Sequence, residues 1–105
     1  MIEKTQQMNA LLDAYAKLLT NKQQEVMSLY FQEDFSLSEI AEELQISRAA
    51  VNDHIKRSTQ ILQDYEKKLQ LVQNYETRLK IYDKIKKIGC AEVNALIEHL
   101  ENLDY

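Results

Sequence analysis

The run FSLSEIAEELQISRAAVNDHIKR, from Phe35 to Arg57, leaves its backbone few choices. Ser36 opens it as a helix N-cap. A serine hydroxyl there accepts an otherwise orphaned backbone N–H, and Glu39, three residues on, reaches back to the N–H of Ser36. Leu37, Ile40, Ala41 and Leu44 then recur at helical spacing and form one apolar face. Ile46 plugs the corner. Ser47 is a second N-cap, and Val51 and Ile55 anchor the following helix inward. Ala41 is small enough to let two steeply crossed helices approach. The pattern is a helix, a tight turn and a second helix, and such a second helix can enter the major groove of DNA.

The rest of the composition extends the helical reading. The chain has 105 residues, no proline and one glycine, Gly89. Leu, Lys, Glu, Gln and Ala are abundant, so an all-α protein is expected, with a small core and little stability to spare. No apolar run approaches the roughly 20 residues of a membrane span, and no signal peptide opens the chain. A single cysteine, Cys90, excludes an internal disulfide and suits a reducing cytoplasm.

Taken in order, residues 1–19 read as a first helix with the stripe Met8, Leu11, Leu12, Tyr15, Leu18 and Leu19. Thr20 starts a second helix, with Gln23 placed to complete a capping box and Val26, Met27, Leu29, Tyr30 and Phe31 apolar. Residues 1–60 are therefore expected to form a helix-turn-helix bundle without a wing. From Arg48 to Ile88 no proline, glycine or loop-like cluster intervenes, so one long helix of about 60 Å is expected, with a weak point near Gln73–Asn74. Leu62, Tyr65, Leu69, Val72, Leu79 and Tyr82 form a stripe along it. The 61–105 extension is accordingly expected to serve dimerisation, with that stripe as the interface, because a lone helix would expose a patch that soluble monomers seldom carry. Lys84, Lys86 and Lys87 before Gly89 mark a helix end. A short terminal helix follows over about 91–102, with Val93, Leu96, Ile97, Leu100 and Leu103 apolar.

The chemistry rests on the second helix of the motif. With Val51 and Ile55 inward, Arg48, Ala49, Asn52, Asp53, Lys56 and Arg57 face out. Arg48 suits a guanine edge and Asn52 an adenine edge. Lys56 and Arg57 suit phosphates, which position a helix without reading sequence, and Ser47 adds a phosphate contact at the helix N-terminus. Charge opposes this: net charge is −4, and Glu39, Glu42, Glu43 and Asp53 outnumber Arg48, Lys56 and Arg57 within the motif. His54 and His99 have no Cys or Asp at zinc-ligand spacing. Cys90 reads as a small packing residue, and the tyrosines at 15, 30, 65, 75 and 82 as core or interface residues. No glycine-rich phosphate loop is present. No enzyme, metal or cofactor is expected.

Two resemblances follow from these residues. The segment TNKQQEVMSLYFQEDFSLSEIAEELQISRAAVNDHIKRSTQIL, Thr20 to Leu62, is similar to region 4 of the sigma-70 family, whose helix-turn-helix reads a promoter element. The longer run EKTQQMNALLDAYAKLL through to NDHIKRSTQILQDYEKKL resembles the YlxM family of small bacterial helix-turn-helix proteins, closely over residues 3–70 and more loosely beyond. Ala49 and Asn52 stand where Gln and Tyr are common in that pattern. The family's genes lie beside the gene for the GTPase of the signal recognition particle, which implies a regulatory or accessory role in that pathway. The expectation is a DNA-binding regulator or a non-catalytic adaptor for the particle or its GTPase, with a second copy, DNA and particle components as the partners to test.

Overall fold

A computed structural model describes residues 2–104, and among them every regular element is helical. The helices are α1 (Ile2–Tyr15), α2 (Asn21–Phe31), α3 (Leu37–Leu44), α4 (Arg48–Leu69), α5 (Leu71–Ile88) and α6 (Ala91–Leu103), with a short 3₁₀ turn, Ala16–Leu18, after α1. They form two compact units that divide between Leu69 and Gln70.

The first unit is a helix-turn-helix bundle in which α1, α2 and α3 all pack on α4. Its start signals are those the sequence carries. The Gln23 N–H donates to Thr20 Oγ1 at 3.2 Å while the Thr20 N–H donates to Gln23 Oε1 at 3.0 Å. At α3 the Glu39 N–H reaches Ser36 Oγ at 3.1 Å, and the Ser36 N–H reaches Glu39 Oε1 at 3.0 Å. Each box satisfies two orphan donors and is worth about 1 kcal/mol. Met8, Leu12, Tyr15, Leu19, Val26, Met27, Ile40, Val51 and Leu62 are buried. Leu29, Tyr30, Phe35, Leu37, Ala41, Leu44, Ile46 and Ile55 close around Val26, Ile40 and Val51. Ser58, fully buried on α4, supplies a small side chain where larger ones would separate the helices.

Two expectations change here. The first helix ends at Tyr15, not at residue 19. The tighter 3₁₀ winding that follows rotates Leu18 off the stripe, leaving it 52% exposed, while Leu19 stays buried. The helix from Arg48 is also not continuous to Ile88. It breaks at Gln70, three residues before the expected weak point, where the backbone turns left-handed at φ 55°. A non-glycine residue there costs on the order of 1 kcal/mol. Nothing in the residue types at 69–71 explains the break.

The second unit is an antiparallel hairpin of α5 and α6. Gly89 ends α5 at φ 86°, with its N–H on the Lys86 carbonyl at 3.1 Å, as the glycine and the lysines before it predict. Tyr82 and Ile97 are its buried pair. Arg78 reaches Asp104 at 3.0 Å and Lys86 reaches Glu101 at 2.6 Å, tying the two helices together. The hydrogen bond to Glu101 raises the Lys86 ammonium above the ordinary lysine value. Arg78 also lies over the Tyr75 ring, 5.7 Å from its centroid.

Candidate nucleic-acid interface

The turn between α3 and α4 sets the direction of the outward helix. Gln45 adopts the left-handed conformation, φ 57° and ψ 44°, and ends α3. The Ile46 N–H then donates back to the Ala41 carbonyl at 3.1 Å, and the Gln45 N–H reaches the Glu42 carbonyl at 3.4 Å. Satisfying both carbonyls stops the helix in a Schellman geometry and folds Ile46 onto the core. Ser47 restarts the chain: its Oγ accepts the Ala50 N–H at 3.0 Å, and its carbonyl accepts the Val51 N–H at 3.1 Å. The hydroxyl still has its proton to donate to an incoming oxygen.

With Val51 fully buried and Ile55 half-buried, the opposite side of α4 faces solvent. Ser47, Arg48, Asn52, Lys56 and Arg57 are all exposed. Arg48, Asn52 and Lys56 recur every four residues and share a face. Their side chains make no hydrogen bond or ion pair within the described residues. Arg57 differs. Its Nε pairs with Asp53 Oδ2 at 3.0 Å, with both side chains largely exposed. An exposed pair of this kind contributes only about 0.3–0.5 kcal/mol, but it offsets one of the three positive charges at Arg48, Lys56 and Arg57. The sequence signal for it was the four-residue spacing of Asp53 and Arg57.

The acidic residues of the motif lie mainly on α3. Glu39, Glu42 and Glu43 are exposed, and the Ser36 backbone N–H and hydroxyl hold the Glu39 carboxyl below its ordinary range. His54 is half-buried, and no group of His, Cys, Asp and Glu among the described residues could hold a metal ion. Cys90 is exposed, so its reading as a packing residue is corrected.

The stripe expected to form a dimer interface does not lie on one open surface. Leu62 is fully buried inside the bundle. Tyr65 is half-buried and stacks on Tyr15, with ring centroids 5.9 Å apart. The Tyr15 hydroxyl donates to Glu66 Oε1 at 2.6 Å, closing that end of α4. Leu69 remains 49% exposed, Val72 and Leu79 are half-buried, and Tyr82 is buried in the hairpin. The larger exposed aliphatics lie further along: Ile81, Ile88, Val93, Leu96, Leu100 and Leu103.

Among the described residues no helix is long and apolar enough to cross a membrane. The chain is similar to the UPF0122 protein YlxM of Bacillus subtilis, 48% identical over 108 residues and 98% of each chain. A Bacillus licheniformis relative is 50% identical over 105 residues, again 98% of each chain. A Streptococcus suis relative is 54% identical over 84 residues, 80% of this chain and 74% of the relative. The match to the family described as "Putative helix-turn-helix protein, YlxM / p13 like" spans residues 2–103, so it takes in α5 and α6 as well as the bundle. With that coverage, and with a capped helix-turn-helix at the centre of an all-α fold, the chain belongs to the UPF0122 family of YlxM / p13-like helix-turn-helix proteins.

Proposed function

We propose that the chain is a non-enzymatic DNA-binding regulator that lays the first turns of α4 in the major groove. The observation that carries this reading is the exposed row Arg48, Asn52 and Lys56 on a helix anchored inward by buried Val51. Arg48 and Asn52 reach base edges, while Lys56, Arg57 and the Ser47 hydroxyl contact phosphate. A salt series on a labelled duplex tests it. With three or four phosphate contacts, log K falls against log salt with a slope of roughly −3. Arg48→Ala removes sequence preference, whereas Lys56→Ala weakens all duplexes alike. Absence of duplex binding at ~50 mM salt refutes the reading, as does wild-type behaviour of both variants.

A second reading, an adaptor for the signal recognition particle or its GTPase, is favoured by the Asp53–Arg57 pair and the exposed acids of α3. Both lower the attraction for phosphate. A pull-down with and without nuclease separates the two. Retention of particle RNA or protein with no duplex affinity supports the adaptor, and capture lost on DNase treatment supports the regulator.

A further inference from the structure

The hairpin of α5 and α6 has one apolar side left uncovered. On α6, Val93, Leu96, Leu100 and Leu103 follow steps of three, four and three residues and remain 37, 66, 43 and 71% exposed. On α5, Ile81, Ile85 and Ile88 follow steps of four and three, with Ile81 48% and Ile88 81% exposed and Ile85 half-buried. Alternating three- and four-residue steps are the period of helices that supercoil around helical neighbours.

The two rows share a side. Positions advance roughly 100° per residue along a helix. The residues joining the helices are Arg78, Tyr82 and Lys86 on α5, and Ile97, Glu101 and Asp104 on α6. In each helix the exposed row lies about a quarter-turn from those residues, in the same rotational sense. Because the helices run antiparallel, equal rotations bring both rows to the same side. The result is a two-lane apolar face.

We propose that this face is the dimerisation surface and that its occupant is a second copy of the same hairpin, giving a four-helix bundle. Three observations favour a copy. A two-lane face needs two helices, and a second hairpin supplies two of the same period. The six exposed side chains remove on the order of 500 Å² per chain from water, or ~1,000 Å² across a two-fold contact, where specific interfaces begin. The margins are also complementary. Exposed Lys84 borders the α5 lane and exposed Glu92 the α6 lane. With the two-fold along the helices, α5 of one copy lies antiparallel to α6 of the other, so Lys84 runs beside Glu92 of the second copy. Both 89–90 turns then fall at one end. This inference does not depend on DNA binding by α4, and duplex affinity of a monomer would leave it refuted while that reading stood.

Sedimentation equilibrium of the full chain, with the native cysteine as a probe, tests it. The wild type sediments as a dimer at micromolar concentration. Leu96→Ala weakens association at least ~30-fold, and Leu96→Asp is monomeric up to ~100 µM, since each substitution acts twice across a two-fold. Leu69→Asp, outside the face, leaves the dimer intact. Leu96 is 66% exposed, so both variants keep wild-type helicity by circular dichroism, and Ile88→Lys at an 81% exposed site repeats the result at a second position. A short bismaleimide joins two chains through exposed Cys90, because the turns share one end. A monomeric wild type at ~100 µM, a dimer that survives Leu96→Asp and Ile88→Lys, or a dimer that Cys90 does not cross-link overturns the proposal.

Discussion

Replacing Leu62 with alanine separates a core residue from an interface residue, two roles that the stripe along α4 leaves indistinguishable in sequence. Leu62 is fully buried within a single chain. Removing its outer carbons loses their transfer energy and leaves a cavity, for an expected cost of about 3 kcal/mol. For a domain of this size that lowers the melting temperature by roughly 10–20 °C. With a urea m-value near 2 kcal/mol per molar, the midpoint falls by about 1.5 M. Leu69→Ala is the matched control. At 49% exposure it loses about half the transfer term and leaves no enclosed cavity, so it costs about 1 kcal/mol or less. Urea titrations followed by far-UV circular dichroism, at two protein concentrations a hundredfold apart, measure both. The Leu62→Ala shift is the same at both concentrations, because the packing it removes lies inside one chain. A loss below ~1 kcal/mol, a shift that depends on protein concentration, or a Leu69→Ala loss as large as that of Leu62→Ala would refute the reasoning.

Three further outcomes follow from local geometry. Ser47→Ala removes the cap on the Ala50 N–H, which lowers stability by about 1 kcal/mol in chemical denaturation and weakens duplex binding through a frayed α4 start. Asp53→Asn releases Arg57 and removes a negative charge from the outward face, so duplex affinity in a fluorescence titration rises about 3-fold at low salt, a gain that fades as salt screens it. Glu39→Gln keeps the geometry of its capping box without the charge. In the wild type the lowered Glu39 value means that its stabilising contribution is present above the unfolded value and lost as pH falls through the folded one. Acid titration followed by circular dichroism therefore shows a smaller loss of stability in Glu39→Gln than in the wild type.

What the sequence makes legible divides by the range of the physics involved. Ser36 with Glu39, Thr20 with Gln23 and Gly89 each satisfy or end a helix through atoms a few residues apart, and the structure forms all three as their spacing predicts. The outward residues of α4 are legible for the same reason, since Val51 and Ile55 fix the helix by period alone. The breaks carry no such mark. Gln45 and Gln70 both turn left-handed, a conformation that glycine or asparagine would announce and glutamine does not. At Gln45 the reason is recoverable, because the turn returns two carbonyl bonds and seats Ile46. At Gln70 it is not.

The break at Gln70 also changes which residues are available for assembly. A continuous helix would carry Leu62 through Tyr82 as one stripe. Once α4 ends at Leu69, Leu62 lies inside the bundle, while Tyr82 is buried in the hairpin. Periodicity can say that a side chain is apolar and on a given face, but it cannot say whether that face meets its own chain or another. Burial decides this, and it leaves the α6 row Val93, Leu96, Leu100 and Leu103 as the longest exposed apolar run among the described residues. In the dimer proposed above, the terminal helix has a role that the bundle's stability does not supply. It contributes one lane of the face on which two copies would meet, while α4 holds the residues that would meet DNA. Since these roles fall on separate compact units, a substitution on α6 can weaken association without altering the reading face. Loss of DNA affinity in Leu96→Asp would then measure what two recognition helices add over one.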